Sequence, residues 1–241
     1  MTSSHKRRAL ITGASSGIGR ATALAFAKAG IDLALVSRSQ SNLESVADAA
    51  RLLGVTAKTY SIDLAEVDQV RSRLESALAD FGAIDLLVNN AGMGYTRTLM
   101  DTSLSDWQRV LNLNLTSVFQ CVQAVVPQMR SQQRGTIINV ASIAAHQTFP
   151  GWGAYCVSKF GLLALSKTLA AEERANGIRV VTISPGSVNT PIWDTDTVQA
   201  GFDRTAMLTP EIVANTILQA ALMPERAVVE ELILMPNAGT F

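Results

Sequence analysis

Cysteine and histidine are scarce in this chain of 241 residues, with two of each: Cys121 and Cys156, His5 and His146. Two thiols make no disulfide framework and stand at no metal-ligand spacing, and two histidines are poor material for a zinc site. No metal is expected. Charge is also low: Asp, Glu, Lys and Arg make up 17% of the residues, below the roughly 25% usual in soluble domains. Lys+Arg and Asp+Glu are balanced at 20 each, for a formal net charge of zero. Such a chain has no global field for gripping a polyanion, so no nucleic-acid partner is expected. It also lacks an apolar run near the ~18 residues a membrane span needs. The start His5-Lys6-Arg7-Arg8 leads into Ala9-Leu10-Ile11. That apolar stretch stops at Thr12-Gly13, short of a signal core of roughly 7–15 residues. A soluble, cytoplasmic protein is expected, without a membrane partner. What the chain has in plenty is apolar side chain, 48% of residues, enough for a large core and inconsistent with disorder.

Short aliphatic runs alternate with longer helical patterns from end to end. Strands are predicted at Ala9–Thr12, Asp32–Ser37, Ala57–Ser61, Ile84–Asn89, Thr136–Val140, Arg179–Ser184 and Glu231–Met235. They show little polar alternation, as in strands covered on both faces. Helices are predicted at Ile18–Ala29, Ser41–Leu53, Val67–Phe81, Trp107–Met129, Tyr155–Asn176 and Pro210–Leu222. Gly30, Gly54, Gly82 and Gly177 stand just beyond four of them, where a helix end favours glycine. Strand–helix–strand repetition demands parallel strands joined by right-handed crossovers. The expected fold is α/β: one Rossmann-type domain over residues 1–241, with a doubly wound parallel sheet of about seven strands and helices on both faces. Only residues 190–207 form a long segment without clear period, and a loop of that length is usually functional or mobile.

In such a sheet, ligands bind beyond the carboxyl ends of the strands, where strand order reverses. Thr12-Gly13-Ala14-Ser15-Ser16-Gly17-Ile18-Gly19 follows the first strand and opens the first helix. Glycine permits a tight turn and close backbone approach, and a helix start offers free N–H groups and a positive dipole end to a pyrophosphate. The spacing is G-x-x-x-G-x-G and not the commoner G-x-G-x-x-G, so a structural strand-to-helix turn is the competing reading. The second strand ends at Ser37-Arg38-Ser39, with no Asp or Glu between Asp32 and Glu44. An acid near this point serves a ribose 2′-OH, whereas an Arg suits a 2′-phosphate. Arg38 is therefore either a phosphate ligand or a solvated side chain. Asp63, followed by Leu64, is either an acceptor for an adenine amino group or a cap for the next helix.

Tyr155 and Lys159 are one helical turn apart and face the same way. A tyrosine hydroxyl titrates near 10, and an adjacent ammonium favours its phenolate. Ser142, at the end of the fifth strand, offers a hydroxyl for a carbonyl oxygen or simply forms a turn. Taken together, Thr12–Gly19, Asn89-Asn90-Ala91-Gly92, Asn114 within Leu111-Asn112-Leu113-Asn114-Leu115, Ser142, Tyr155, Lys159 and Pro185-Gly186-Ser187-Val188-Asn189-Thr190-Pro191 resemble the short-chain dehydrogenase/reductase family. The resemblance spans essentially the whole chain. It includes forms like 3-oxoacyl-carrier-protein reductases and 3-hydroxy acid dehydrogenases.

The resemblance implies an oxidoreductase moving a hydride between a nicotinamide and a carbonyl or secondary alcohol. Tyr155 would be the general acid and base. Lys159 would lower its pKa and bind the nicotinamide ribose, Ser142 would hold the carbonyl oxygen, and Asn114 would position a proton-relaying water. Gly13, Ser15, Ser16, Gly17, Ile18 and Gly19 would cradle the cofactor, with Arg38, Asp63, Leu64, Asn90, Ala91 and Gly92 at its adenosine side. Pro185, Gly186, Val188 and Thr190 would contact the nicotinamide, and residues 190–207 would form a substrate lid carrying Ile192, Trp193, Val198, Phe202 and Met207. NADP(H) is expected over NAD(H), because Ser37 and Arg38 stand where an acid would otherwise be, although Ser16 replaces a second cation. Arg97 or Arg204 would supply any carboxylate clamp. The substrate would be a small-molecule or acyl-thioester carbonyl compound. The two long helices, with Val110, Leu113, Phe119, Val122, Val125 and Val126 on one and Phe160, Leu162, Leu163, Leu165 and Leu169 on the other, carry apolar residues in excess of one face and imply a homodimer or homotetramer. The competing class is a non-catalytic dinucleotide-binding sensor or scaffold on the same fold.

Overall fold

The computed structural model describes residues 6–201 and 203–239, so His5, Phe202, Thr240 and Phe241 lie outside the described residues. Seven strands appear in chain order: β1 (Arg8–Thr12), β2 (Asp32–Ser37), β3 (Ala57–Ser61), β4 (Leu86–Asn89), β5 (Gly135–Val140), β6 (Ile178–Pro185) and β7 (Glu231–Leu234). They form one sheet in the order β3-β2-β1-β4-β5-β6-β7, and each neighbouring pair is parallel. Ala9 is opposite Leu33 on one side and Leu86 on the other, so strand order reverses between β1 and β4.

Period-two alternation explains how one sheet covers two cores. Ile11, Leu33 and Leu35 join one apolar cluster with Phe26, Leu43 and Ile217 from α1 (Gly17–Lys28), α2 (Gln40–Arg51) and α7 (Pro210–Ala221). Leu10, Ala34 and Val36 point the other way. They pack with Leu74, Val125 and Leu169 from α3 (Val67–Phe81), α5 (Ser117–Gln132) and α6 (Gly153–Glu173). Both faces of the strands are thus apolar, which is why their sequences show no polar alternation.

The predicted helix at 107–129 is interrupted. The structure has α4 (Leu104–Leu111), a π-helical turn at Asn112–Thr116, and then α5. Asn114, buried within that turn, spends its side chain outside the helix, and π turns of this sort often mark functional positions. The continuous helical stretch Leu104–Gln132 is long and apolar enough to cross a membrane by composition, but half of its apolar window is buried in this domain. Among the glycines predicted to end helices, Gly30, Gly54 and Gly177 take φ of 78°, 88° and 70°. Gly82 differs, combining φ 95° with an extended ψ of 177°.

Candidate active site

Where strand order reverses, the ends of β1 and β4 are stitched together by side chains. Thr12 Oγ1 accepts from the backbone N–H of Asn90 at 3.0 Å and of Ala91 at 3.1 Å. Asn90 Nδ2 donates in return to the carbonyls of Thr12 and Gly13, at 3.1 and 3.3 Å. The glycines of the turn are required by this close approach. A Cβ on Gly13 would stand 2.9 Å from Ala91 Cα, and one on Gly19 would stand 2.2 Å from the Gly13 carbonyl oxygen. Ser16 precedes α1 without capping it through its side chain, and the first turn carries no acid. The N–H groups at that helix start are left for an anion, which fits a dinucleotide pyrophosphate.

A cleft of about 830 Å³ runs across the carboxyl ends of the strands from this turn. Gly13, Ser15, Ser16, Gly17 and Ile18 line it, and Thr190 closes over Gly17, whose added Cβ would meet its side chain at 3.2 Å. Arg38, Asp63 and Leu64 line one end; Asn90, Ala91 and Gly92 line the floor; Pro185, Gly186 and Val188 line the opposite wall. Gly19 and Asn114 do not reach the cleft surface. Gly19 lies beneath the turn, and Asn114 lies behind Gly92, whose added Cβ would be 3.2 Å from Asn114 Oδ1 and 3.7 Å from Lys159 Nζ. Asp63 faces the cleft and also accepts from the N–H of Ala65 at 2.9 Å, so it closes a turn just ahead of α3. Arg38 is exposed, and among the described residues no carboxylate pairs with its guanidinium.

Ser142, Tyr155 and Lys159 meet at the other end. Lys159 is buried, donates to the Val140 carbonyl at 3.1 Å, and places Nζ 5.7 Å from the centre of the Tyr155 ring. Burial lowers the Lys159 pKa to about 8. The sequence pattern predicts a lowered tyrosine pKa, but burial pushes the Tyr155 hydroxyl upward, only partly offset by a hydrogen bond with Ser142. The reason is that a buried phenolate loses more solvation than this arrangement returns. Ser142 also accepts from the N–H of Ala144 at 3.1 Å, so it forms its turn while facing Tyr155. Asn114 uses both amide donors and one acceptor site: Oδ1 accepts from the Met93 N–H at 2.8 Å, and Nδ2 donates to the Met93 carbonyl at 3.0 Å and to Ser158 Oγ at 3.1 Å. Cys156, beside Tyr155, is buried with its thiol pKa raised by burial, as befits a packing residue and not a nucleophile.

The walls around Tyr155 include residues that the motifs do not flag. Trp152 stands edge-on to Tyr155 at 5.5 Å and to Trp193 at 5.9 Å between ring centres, with Phe149 beside them. An aromatic three residues before the tyrosine, at the residue that precedes its helix, is a signal that the sequence carries. Residues 190–207 are partly ordered into 3₁₀ turns at Pro191–Asp194 and Arg204–Ala206. They lie against the loop after β4: Thr197 Oγ1 donates to the Gly94 carbonyl at 2.8 Å, and the Gln199 N–H donates to Thr96 Oγ1 at 2.7 Å. Neither proposed clamp is available. Arg204 is held by Asp194 at 2.6 Å, Asn189 at 2.9 Å and the Thr190 carbonyl at 3.0 Å, and Arg97 is exposed away from the cleft.

Residues 7–200 match the family model described as short chain dehydrogenase. The chain is 38% identical over 239 residues to a sepiapterin reductase of Chlorobaculum tepidum, covering 95% of this chain and 96% of that one. It is 39% identical over 185 residues to a 3-oxoacyl-acyl-carrier-protein reductase of Thermotoga maritima, covering 77% and 75%. An alcohol dehydrogenase from the archaeon Thermococcus sibiricus, complexed with 5-hydroxy-NADP, superposes with a TM-score of 0.88 at 28% identity over 97% of each chain. A short chain dehydrogenase from Mycobacterium paratuberculosis bound to NAD gives 0.84 at 25% identity, over 95% and 96% of the chains. Sequence, sheet order and cleft agree, and the chain belongs to the short-chain dehydrogenase family of oxidoreductases.

Proposed function

We propose that this protein is an NADP(H)-dependent carbonyl reductase whose proton donor is Tyr155. The observation that carries the reading is the meeting of Ser142, Tyr155 and Lys159 at one end of a cleft whose other end presents the unpaired Arg38. The nicotinamide, when bound, supplies the hydride chemistry. Tyr155, held as the neutral phenol by burial, is in the form that can give a proton to a carbonyl oxygen. Ser142 orients that oxygen, and Lys159 binds ribose and restores the proton. Asn114 acts at one remove, fixing Met93 and Ser158 around Lys159. Gly13, Ser15, Ser16, Gly17 and Ile18 hold the pyrophosphate over Gly19. Asp63, Leu64, Asn90, Ala91 and Gly92 line the adenosine, and Pro185, Gly186, Val188 and Thr190 line the nicotinamide. Arg38 binds the 2′-phosphate with its planar fork.

The substrate class follows from the walls. Trp152, Trp193 and Phe149, with residues 190–207 as a lid, form an apolar rim, and its arginines are engaged: Arg109 faces Asp106 at 3.1 Å and Arg204 faces Asp194. A neutral carbonyl compound with a flat or apolar body fits better than a carboxylate. The names of the two curated relatives support a reductase, and the Thermococcus neighbour supports NADP. Assembly as a homodimer or homotetramer through α5 and α6 accounts for Phe119, Val157 and Phe160, which stay 43%, 45% and 42% exposed. Most other apolar residues of these helices are consumed within the chain. A panel of ketones, diketones and acyl thioesters assayed with NADPH and with NADH tests the reading. Reduction with NADPH preferred is expected, and no turnover on any carbonyl contradicts it. Light scattering at micromolar concentration tests the assembly, where a monomer contradicts it.

A further inference from the structure

One polar chain outside these roles joins the two walls flanking Tyr155. His146 follows the 3₁₀ turn Ile143–Ala145 and lies four residues after Ser142. Its Nε2 is 2.9 Å from Oγ of Ser184, the residue before Pro185 in β6. Its Nδ1 is 3.4 Å from Oε1 of Glu231 at the start of β7, and Glu231 Oε2 holds Lys167 Nζ of α6 at 3.1 Å. Serine, histidine and carboxylate in this order resemble a nucleophilic relay. Ser184, however, is fully buried and does not line the cleft, so no substrate reaches its hydroxyl. The arrangement is a tether. A hydroxyl both donates and accepts, so the Ser184 hydroxyl and the ring Nε2 share one hydrogen bond in either tautomer, while Nδ1 faces the Glu231 carboxylate. That buried hydroxyl is then satisfied, and the turn carrying Ser142 is fastened to the strand end carrying Pro185 and Gly186.

We infer that His146 is a positioning residue that, through Ser184, fixes the spacing between the serine holding the carbonyl and the backbone walling the nicotinamide. The inference rests on the reductase reading above. Misplacement of reacting groups by about an ångström costs roughly 10²-fold in rate, so a loosened tether has a measurable effect without touching the chemistry itself.

The test uses the full-length enzyme, NADPH, and the fastest substrate among isatin, diacetyl and a 3-oxoacyl thioester. His146→Ala and Ser184→Ala should each lower kcat by about 10–100-fold, with the NADPH dissociation constant unchanged within error and no further loss in the double variant. Both alanine variants also lose packing, so the decisive contrast is between two amides. His146→Gln places its amide where Nε2 stood and should recover most of kcat. His146→Asn reaches only the Nδ1 position and should not. Amide hydrogen exchange in residues 141–147 should rise in the alanine and Asn variants and return towards wild type in the Gln variant. Wild-type turnover in His146→Ala, equal recovery by Gln and Asn, or a fall in kcat with unchanged exchange would each overturn the inference. Full activity in Tyr155→Phe, measured alongside, would instead overturn the reductase reading on which it rests.

Discussion

At the glycine-turn end of the cleft the lining groups come from short contiguous segments, Gly13–Ile18, Ser37–Arg38 and Asp63–Leu64, each at or just beyond a strand end. At the tyrosine end they come from the turn after β5, from α6, from the end of β6 and from the segment beyond it. The first end is mostly backbone, and its one cation is exposed. The second is mostly side chain, and Tyr155 and Lys159 have pKa values displaced by burial. The contrast fits the tasks proposed for the two ends: a pyrophosphate is satisfied by N–H groups and a dipole, whereas proton transfer needs titratable groups held out of water.

Substitutions should therefore separate the two ends. The largest expected effect is at the tyrosine: Tyr155→Phe keeps the ring and removes the donor. Carbonyl reduction should fall by about 10²–10⁴, the usual range for general acid–base catalysis, while NADPH binding measured by fluorescence persists. Near-normal turnover would remove Tyr155 from the mechanism. Next is Gly19→Ala, whose methyl carbon would meet the Gly13 carbonyl oxygen at 2.2 Å. Overpacking of that severity costs about 3 kcal/mol, so melting temperature and NADPH affinity should fall together. A variant that melts like wild type would mean the turn is looser than its contacts imply.

Arg38→Ala should weaken NADPH by the ~1.5–3 kcal/mol of a charge-assisted hydrogen bond, roughly one to two decades, and leave NADH nearly unchanged. Equal losses for both cofactors would make Arg38 a surface residue only. The smallest effect concerns stability. The Lys159 pKa is about 8 when folded against an ordinary 10.5, so below pH 8 the folded protein bears the cost of a buried ammonium. Between pH 8 and 10.5 the folded state sheds that proton before the unfolded chain does, and the cost declines. Lys159→Met should thus raise the stability of the cofactor-free protein at pH 7 by on the order of 1–3 kcal/mol. The advantage should shrink from pH 8 upward, and denaturant titration of both proteins across that range checks it. An advantage independent of pH would mean that Lys159 is not strained by burial.

The sequence made the fold legible because the central strands are apolar on both faces and several helices end at a glycine. The bounds of β2, β3 and α3 agree residue for residue. The π turn at Asn112–Thr116 was not legible, since apolar periodicity continues through it while the backbone adapts to Asn114's bonds with Met93 and Ser158. The glycine turn and Ser142 were legible from their positions at strand ends, and the pairing of Tyr155 with Lys159 from their spacing of one helical turn. The direction of the tyrosine shift was not legible, because it depends on how much solvent the surrounding walls exclude. The His146–Ser184–Glu231 chain joins segments far apart in sequence, and Arg204 meets Asp194 across an irregular segment without period, so no local pattern announces either.

In the proposed function, one cleft binds cofactor at its Arg38 end and transfers a proton at its Tyr155 end. The most direct test is to titrate NADPH into the wild type, Arg38→Ala and Tyr155→Phe, and to follow reduction of the same carbonyl by each at saturating cofactor. Arg38→Ala should lose affinity but turn over once saturated, and Tyr155→Phe should bind normally but not turn over. Loss of both properties in both variants, or full turnover in Tyr155→Phe, would contradict it.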